Sequence, residues 1–360
     1  MKRTIRFEVT TATPLEAGEQ VFLSGNLKAL GNWNPAGFPL TRIRDNIWAR
    51  TVKLPDDETI HLKITRGSWG SEEVTPDGQL PADKILEAGT GDITAQYWIH
   101  HWKDLRSIPP DITGNYDILE NIHSNILNNQ RTVVVWLPPS YYKNTTESYP
   151  VIYMQDGQQV FDPNTSTWNQ AWNVDEWCTA MIESNQIKEA IVVGVYCSPE
   201  RDLEYNADER GEDYIRFLTN ELMPIINQDF RTLTGPENTG IAGGSLGGSI
   251  SFYAAWKHPE LFSMVACLSP AFDYKGSKAC LDLVKKTKTK PAIKVYLYCG
   301  SADPLEEELL PGMKAMKKAL RAKKFVEDDD LLVIEDELGH HNEETWNRHS
   351  GEWLHFLLGV

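Results

Sequence analysis

Gly243-Gly244-Ser245-Leu246-Gly247 forms a G-x-S-x-G pentapeptide. A serine hydroxyl is a weak nucleophile until a base takes its proton and a sharp turn exposes it. Glycines on either side let the chain turn without side-chain clashes. A helix that begins just after the serine directs its unbonded N–H groups toward the reaction centre, where they can hold a developing oxyanion. The pentapeptide alone carries little weight, because glycine is a common residue. Its flanks add to it: the apolar, strand-like TGIAG precedes it, and SISFYAAWKHP follows with a helical pattern stopped by Pro259. The competing reading is a glycine-rich turn that only packs a helix close to a sheet.

Such a serine needs an acid and then a histidine further along the chain. IKVYLYCGSADP offers Asp303 just past an apolar run and before Pro304. Glu306 and Glu307 are neighbours that could substitute, and Asp273 in LSPAFDY is a weaker rival. A carboxylate at such a place could equally be a simple helix N-cap. The base is expected in LLVIEDELGHHNEETW, which supplies His340 and His341. Spacing alone does not choose between them.

The elements that must carry these residues follow from the hydrophobic period. From about residue 116, short apolar runs recur: RTVVVWLPP, YPVIYMQDG, AIVVGVYCS, TGIAGGS, SMVACLSP, IKVYLYCGS and LLVIEDELG. Longer stretches with helical spacing lie between them, such as EDYIRFLTNELMPIINQDF and LLPGMKAMKKALRAKKF. Strands alternating with helices predict an α/β domain, with a mostly parallel sheet covered on both faces and its chemistry beyond the C-terminal strand ends. Residues 1–105 differ. Ile5, Phe7 and Val9 alternate with polar residues, as do Ile60, Leu62 and Ile64. Period-two alternation broken by turn signals, among them Gly31-Asn32, Pro55-Asp56-Asp57 and Asp77-Gly78, predicts a smaller N-terminal all-β sandwich. Residues 106–115, with Pro109-Pro110 and Gly114, read as a linker between it and the domain at 116–360.

A length of 360 residues fits two such domains. The net charge of −16 disfavours nucleic acid and anionic membranes as partners, and no apolar run approaches the ~20 residues of a membrane span. MKRTIRFEVT passes directly into a strand pattern without a secretory apolar stretch, so a cytoplasmic location is the expectation. Cys178, Cys197, Cys267, Cys280 and Cys299 contain no C-x-x-C pair. They are expected to be reduced thiols, with no metal site and no cofactor.

Residues 116–360 resemble the esterase family that groups esterase D with enterochelin and feruloyl esterases. The resemblance is carried by RTVVVWLPPSY, YPVIYMQDGQQVFD, Arg201-x-x-Glu204-Tyr205, YIRFLTNELMPIINQDFRT, GGSLGG and HNEETW. It implies an α/β-hydrolase fold, with His341 rather than His340 as the base, Trp346 as a packing residue, Ser245 as nucleophile and Asp303 as acid. The Leu246 amide and the Gln158 backbone N–H, in the D-G-x loop Asp156-Gly157-Gln158, are the expected oxyanion donors. His341 would take the serine proton, Asp303 would hold the imidazole tautomer, and water would release the acyl group. Activity should then rise through a histidine pKa of about 6–7.

Residues 1–105 resemble the starch-binding type of carbohydrate-binding module (family 20), through GEQVFLSGNLKALGNWNP, the strand at Trp48, and HLKITRGSW. In that family, tryptophans stack on sugars beside a lysine. Trp33 and Lys63 match this site; the region after the lysine strand, where the family's second tryptophan falls, reads SEEVTPDGQLPADK and has none, and Trp69 comes earlier, in the TRGSW loop, as the candidate in its stead. The expected substrate is a small-molecule or oligosaccharide ester, such as an acylated or feruloylated carbohydrate, with glucan as a candidate ligand of the module. The rival expectations are a siderophore trilactone, with Arg201 as a candidate cation unless it pairs with Glu204 or Asp208, and a glycan-binding protein with an inert hydrolase domain.

Overall fold

The computed structural model describes every residue except 1, 13, 17, 76–79, 106–109 and 275–277. The Asp77-Gly78 turn and four residues of the expected linker therefore lie outside the described residues. The chain divides into two compact units. Residues 1–110 together with 163–169 form the first, and residues 111–162 with 170–360 the second.

The first unit is all-β, apart from short 3-10 turns. Its strands are β1 (Lys2–Thr11), β2 (Phe22–Gly25), β3 (Phe38–Pro39), β4 (Thr41–Arg44), β5 (Ile47–Pro55), β6 (Ile60–Thr65), β7 (Glu73–Val74), β8 (Lys84–Leu86), β9 (Ile93–Ile99) and β10 (His101–Trp102). Two four-stranded sheets, ordered β4-β5-β1-β9 and β3-β2-β6-β8, share one core. Ile5, Phe7 and Val9 enter it from β1, and Ile60, Leu62 and Ile64 from β6, as their alternation requires.

The second unit holds a mixed eight-stranded sheet. Its strands are β11 (Asn115–Ser124), β12 (Asn129–Leu137), β13 (Val151–Gln155), β14 (Ile191–Val195), β15 (Thr239–Gly244), β16 (Met264–Leu268), β17 (Lys294–Gly300) and β18 (Leu331–Asp336), in the spatial order β11-β12-β14-β13-β15-β16-β17-β18. The first two pairings are antiparallel and the rest parallel. The seven apolar runs read from the sequence each became a strand; β11 was not among them. It is a bulged, half-exposed edge strand with a weak apolar signal.

The helices are α1 (Val174–Glu183), α2 (Arg201–Glu204), α3 (Glu209–Phe217), α4 (Met223–Asp229), α5 (Leu246–Lys257), α6 (Ala279–Lys286), α7 (Pro304–Ala322), α8 (Glu343–Arg348) and α9 (Ser350–Leu358). Alternate residues of the buried strands point to opposite faces. Val133, Val135, Tyr153 and Val193 meet α3 to α7, while Val134, Ile152, Met154 and Val192 meet α1 and α9. Between α3 and α4 the helix widens to a π turn at Leu218–Leu222, just ahead of Pro224. Proline has no N–H to give its fourth predecessor, and the Met223 N–H bonds to Leu218 O instead. Helix α7 starts earlier than the sequence pattern predicts, because Asp303 caps it: its side chain accepts the N–H groups of Leu305 and Glu306.

Candidate active site

Ser245 stands between β15 and α5, with φ 56° and ψ −125°. This left-handed φ is unfavourable for a residue with a Cβ, and such strain concentrates at functional sites. Glycines make the turn feasible. A side chain on Gly243 would come within 2.6 Å of the Gly247 carbonyl carbon, and one on Gly244 within 3.0 Å of both the Trp172 and Trp346 rings. The neighbours are buried, whereas Ser245 and Leu246 are partly exposed. The Ser245 side chain does not cap α5. The first N–H groups of that helix, starting with Leu246, have no acceptor within it.

His341 lies in the loop between β18 and α8. Its Nδ1 is 3.1 Å from Glu306 Oε1, and its ring meets the Trp346 ring edge-on with centroids 5.0 Å apart. The same Trp346 ring packs against Gly244, so it links the histidine to the turn that carries Ser245. Trp346 Nε1 donates to Ser269 Oγ at 2.9 Å.

The expectation that Asp303 holds the imidazole is corrected by this geometry. Asp303 Oδ1 accepts the N–H groups of Leu305 and Glu306, and Oδ2 accepts the backbone N–H of His341 at 2.7 Å. It caps α7 and pins the histidine loop, and its nearest imidazole is His340 at 3.5 Å. Glu306, one helical turn on and fully buried, faces His341. Its other oxygen accepts from Gly300 N–H at 2.9 Å and from the Cys299 thiol at 3.1 Å. Burial pushes the Glu306 pKa up, but hydrogen bonds from His341, Ser269 and Cys299 outweigh it, and the carboxyl stays below its ordinary range. Asp303 is likewise held low: burial is outweighed by the N–H groups of Glu306, His341 and Leu305. Asp273 is turned toward Lys278 and plays no part in this cluster.

Gln158 sits in a 3-10 turn, Gly157–Gln159, entered through Asp156 at φ 56°. Its side chain grips Cys197 at both ends. Oε1 accepts the Cys197 N–H at 3.2 Å, and Nε2 approaches Sγ at 3.1 Å. Arg201 does not pair with Glu204 or Asp208. It makes a two-point bond to Asp156, with both N···O distances 2.7 Å. Glu204 is buried against Arg131 and Asn129 instead. Nothing in the sequence links Arg201 to a carboxylate 45 residues earlier.

Glu343 was also missed. It is only 4% exposed, and its Oε2 has no hydrogen-bond partner among the described residues. Burial, reinforced by the nearby Asp156 charge, raises its pKa against the opposing pull of His341 and Arg201. All five cysteines are free thiols. Among the described residues no cluster of His, Cys, Asp and Glu could hold a metal ion, and no helix is long and apolar enough to cross a membrane.

In the first unit, Trp33 is 38% exposed and has φ 64°. Its N–H bonds to Gly25 O at 2.9 Å, one residue from Ser24, which pairs with Lys63 across β2 and β6. The two residues thus share one end of that sheet. Lys63 lies 3.7 Å from the buried carboxylate of Glu72. Trp69, half-buried, opens a separate 3-10 turn, Trp69–Ser71.

Residues 124–350 match the family model described as "Putative esterase". The chain belongs to this esterase family. Residues 2–76 of this esterase match the starch binding domain model. Among curated relatives, it is 26% identical to the uncharacterized protein YbbA of Bacillus subtilis over 247 residues, 62% of this chain and 92% of that protein. It is also 26% identical to an endo-1,4-beta-xylanase/feruloyl esterase of Xylanibacter ruminicola over 335 residues. That match covers 89% of this chain but 41% of the longer relative. Among solved structures, a ferulic acid esterase superposes with a TM-score of 0.57 at 22% identity, covering 68% of this chain and 99% of that one. The ferric enterobactin esterase of Salmonella typhimurium gives 0.57 at 16% identity, covering 98% and 92%. Both structural likenesses concern the fold.

Proposed function

We propose that this esterase is an α/β-hydrolase that cleaves carboxylic esters through an acyl-enzyme on Ser245, with His341 as base and Glu306 as the acid behind it. The observations that carry the reading are the His341–Glu306 contact and the Trp346 ring, which meets both His341 and the strained, partly exposed strand-to-helix turn that carries Ser245. His341 would take the hydroxyl proton as Oγ attacks the ester carbonyl, then return it to the leaving alcohol. Glu306 would keep the Nδ1 proton in place and stabilise the imidazolium that forms. The Leu246 N–H and the 156–158 turn would hold the oxyanion. Water would then attack the acyl-enzyme by the same proton route.

The substrate class we favour is an acylated or feruloylated carbohydrate. Its support is the pairing of an esterase with a starch-binding-type unit, together with the similarity over 89% of the chain to a xylanase/feruloyl esterase. The trilactone reading calls for cations near the serine, and Arg201, its candidate, is already neutralised by Asp156. In the module, Trp33 and Lys63 are the proposed sugar contacts, with Trp69 as a further aromatic. The test of the catalytic reading is hydrolysis of p-nitrophenyl acetate by wild type and Ser245→Ala. Feruloyl, acetyl-sugar and trilactone esters then sort the substrate class. Full activity in Ser245→Ala would end the serine mechanism.

A further inference from the structure

Four consecutive residues around the end of β13 are each held by a different group from one stretch of chain, residues 194–214. Gln155 Oε1 accepts from the Tyr214 hydroxyl. The Asp156 N–H donates to Tyr205 Oη at 3.3 Å, and the Asp156 carboxylate takes the two-point bond from Arg201. Gly157 presses on Gly194, where an added Cβ would come within 2.3 Å of the carbonyl carbon. The Gln158 amide is gripped by Cys197. The Arg201 guanidinium also lies over the Tyr205 ring, 5.0 Å from its centroid.

The Asp156 carboxylate is awkwardly sited for an esterase. It is almost fully buried, and a side chain on Gly247 would come within 3.1 Å of its Oδ2. Gly247 is the second residue of α5, the helix whose first N–H groups would receive the oxyanion. An uncompensated carboxylate there would repel the developing negative charge and compete for the same donors. A bidentate guanidinium removes that charge and also fixes the plane of the carboxylate.

We propose that Arg201 is a positioning residue for ester hydrolysis: through Asp156 it holds the 156–158 turn in place and cancels a charge that would oppose the oxyanion. This rests on the serine reading above. It makes a specific demand, that losing the arginine alone is worse than losing both charges.

The test is kcat and KM for p-nitrophenyl acetate in wild type, Arg201→Gln, Asp156→Asn, the double variant, Arg201→Lys and Ser245→Ala, with thermal unfolding of each. Arg201→Gln should lower kcat by about 30- to 100-fold, below the loss of a whole oxyanion donor, and change KM by less than about threefold. The double variant should recover to within about threefold of Asp156→Asn. Arg201→Lys keeps the charge without the two-point grip, so it should lose less than Arg201→Gln and remain testable if the glutamine variant unfolds. Losses that multiply in the double variant, an effect confined to KM, or wild-type kcat in folded Arg201→Lys would overturn the proposal while Ser245→Ala stays inactive. Full activity in Ser245→Ala would instead overturn the serine reading and this inference with it.

Discussion

His341 Nδ1 and Glu306 Oε1 lie 3.1 Å apart, and the other oxygen of that carboxylate is bonded to the Gly300 N–H and the Cys299 thiol at the end of β17. The carboxylate is therefore held from behind and presents one oxygen to the imidazole. Asp303, three residues earlier, spends both its oxygens on backbone N–H groups.

This division of labour predicts different phenotypes for the two acids. Glu306→Gln should lower kcat by about 10²- to 10⁴-fold with little change in KM, because the amide no longer enforces the tautomer. Steady-state kinetics on p-nitrophenyl acetate reads this directly. Similar losses in Glu306→Gln and Asp303→Asn would contradict it.

Asp303→Ala should act mainly on stability, through the α7 cap and the His341 loop. The cost expected for a lost cap is about 0.5–2 kcal/mol. Because the folded pKa of Asp303 is lowered, its contribution is present above the unfolded value of about 4 and vanishes as pH falls through the folded value. The gap in denaturant midpoint between wild type and variant should therefore be widest near neutrality and close in acid.

His349 should show the opposite pH dependence. Burial lowers its pKa, but hydrogen bonds to Glu352 at 3.0 Å and Asp336 at 3.2 Å outweigh burial and raise it. A raised folded pKa gives stability that is complete below about 6.5 and is lost as pH climbs through the folded value. His349→Asn should thus lower Tm more at pH 6 than at pH 9. An equal drop at both would assign the residue's worth to its packing on Tyr298, whose ring centroid is 4.2 Å away.

Gly157→Ala should damage the site through contact alone. The added methyl would sit 2.3 Å from backbone of Gly194, which cannot swing aside as a flexible side chain could. Overpacking of this kind costs about 1–3 kcal/mol. Activity should fall by more than the change in folded fraction explains, since the displaced turn is the one beside α5. Wild-type kcat in a folded Gly157→Ala protein would show that the turn has room to move.

For the N-terminal unit, Trp33→Ala should reduce retention on starch or glycogen, because a flat exposed indole is what would stack on a sugar face. Equal retention of both proteins would remove Trp33 from binding.

The sequence by itself determined the alternation of strands and helices, the serine turn and the histidine loop. Each is local: an apolar run of five to seven residues, glycines flanking one serine, a histidine pair after the last strand. What only the tertiary structure decided are the pairings across distance. Three carboxylates fall within five residues, at 303, 306 and 307, and all are plausible acids in one dimension. The choice turns on which one the first turn of α7 aims at residue 341, and the same helix needs a cap that consumes Asp303. Arg201 likewise has acidic neighbours in sequence, yet bonds a carboxylate brought to it by the adjacency of β13 and β14. Local patterning fixes period and chain order; partner choice among nearby charges depends on burial and side-chain direction, which exist only once the sheet has formed.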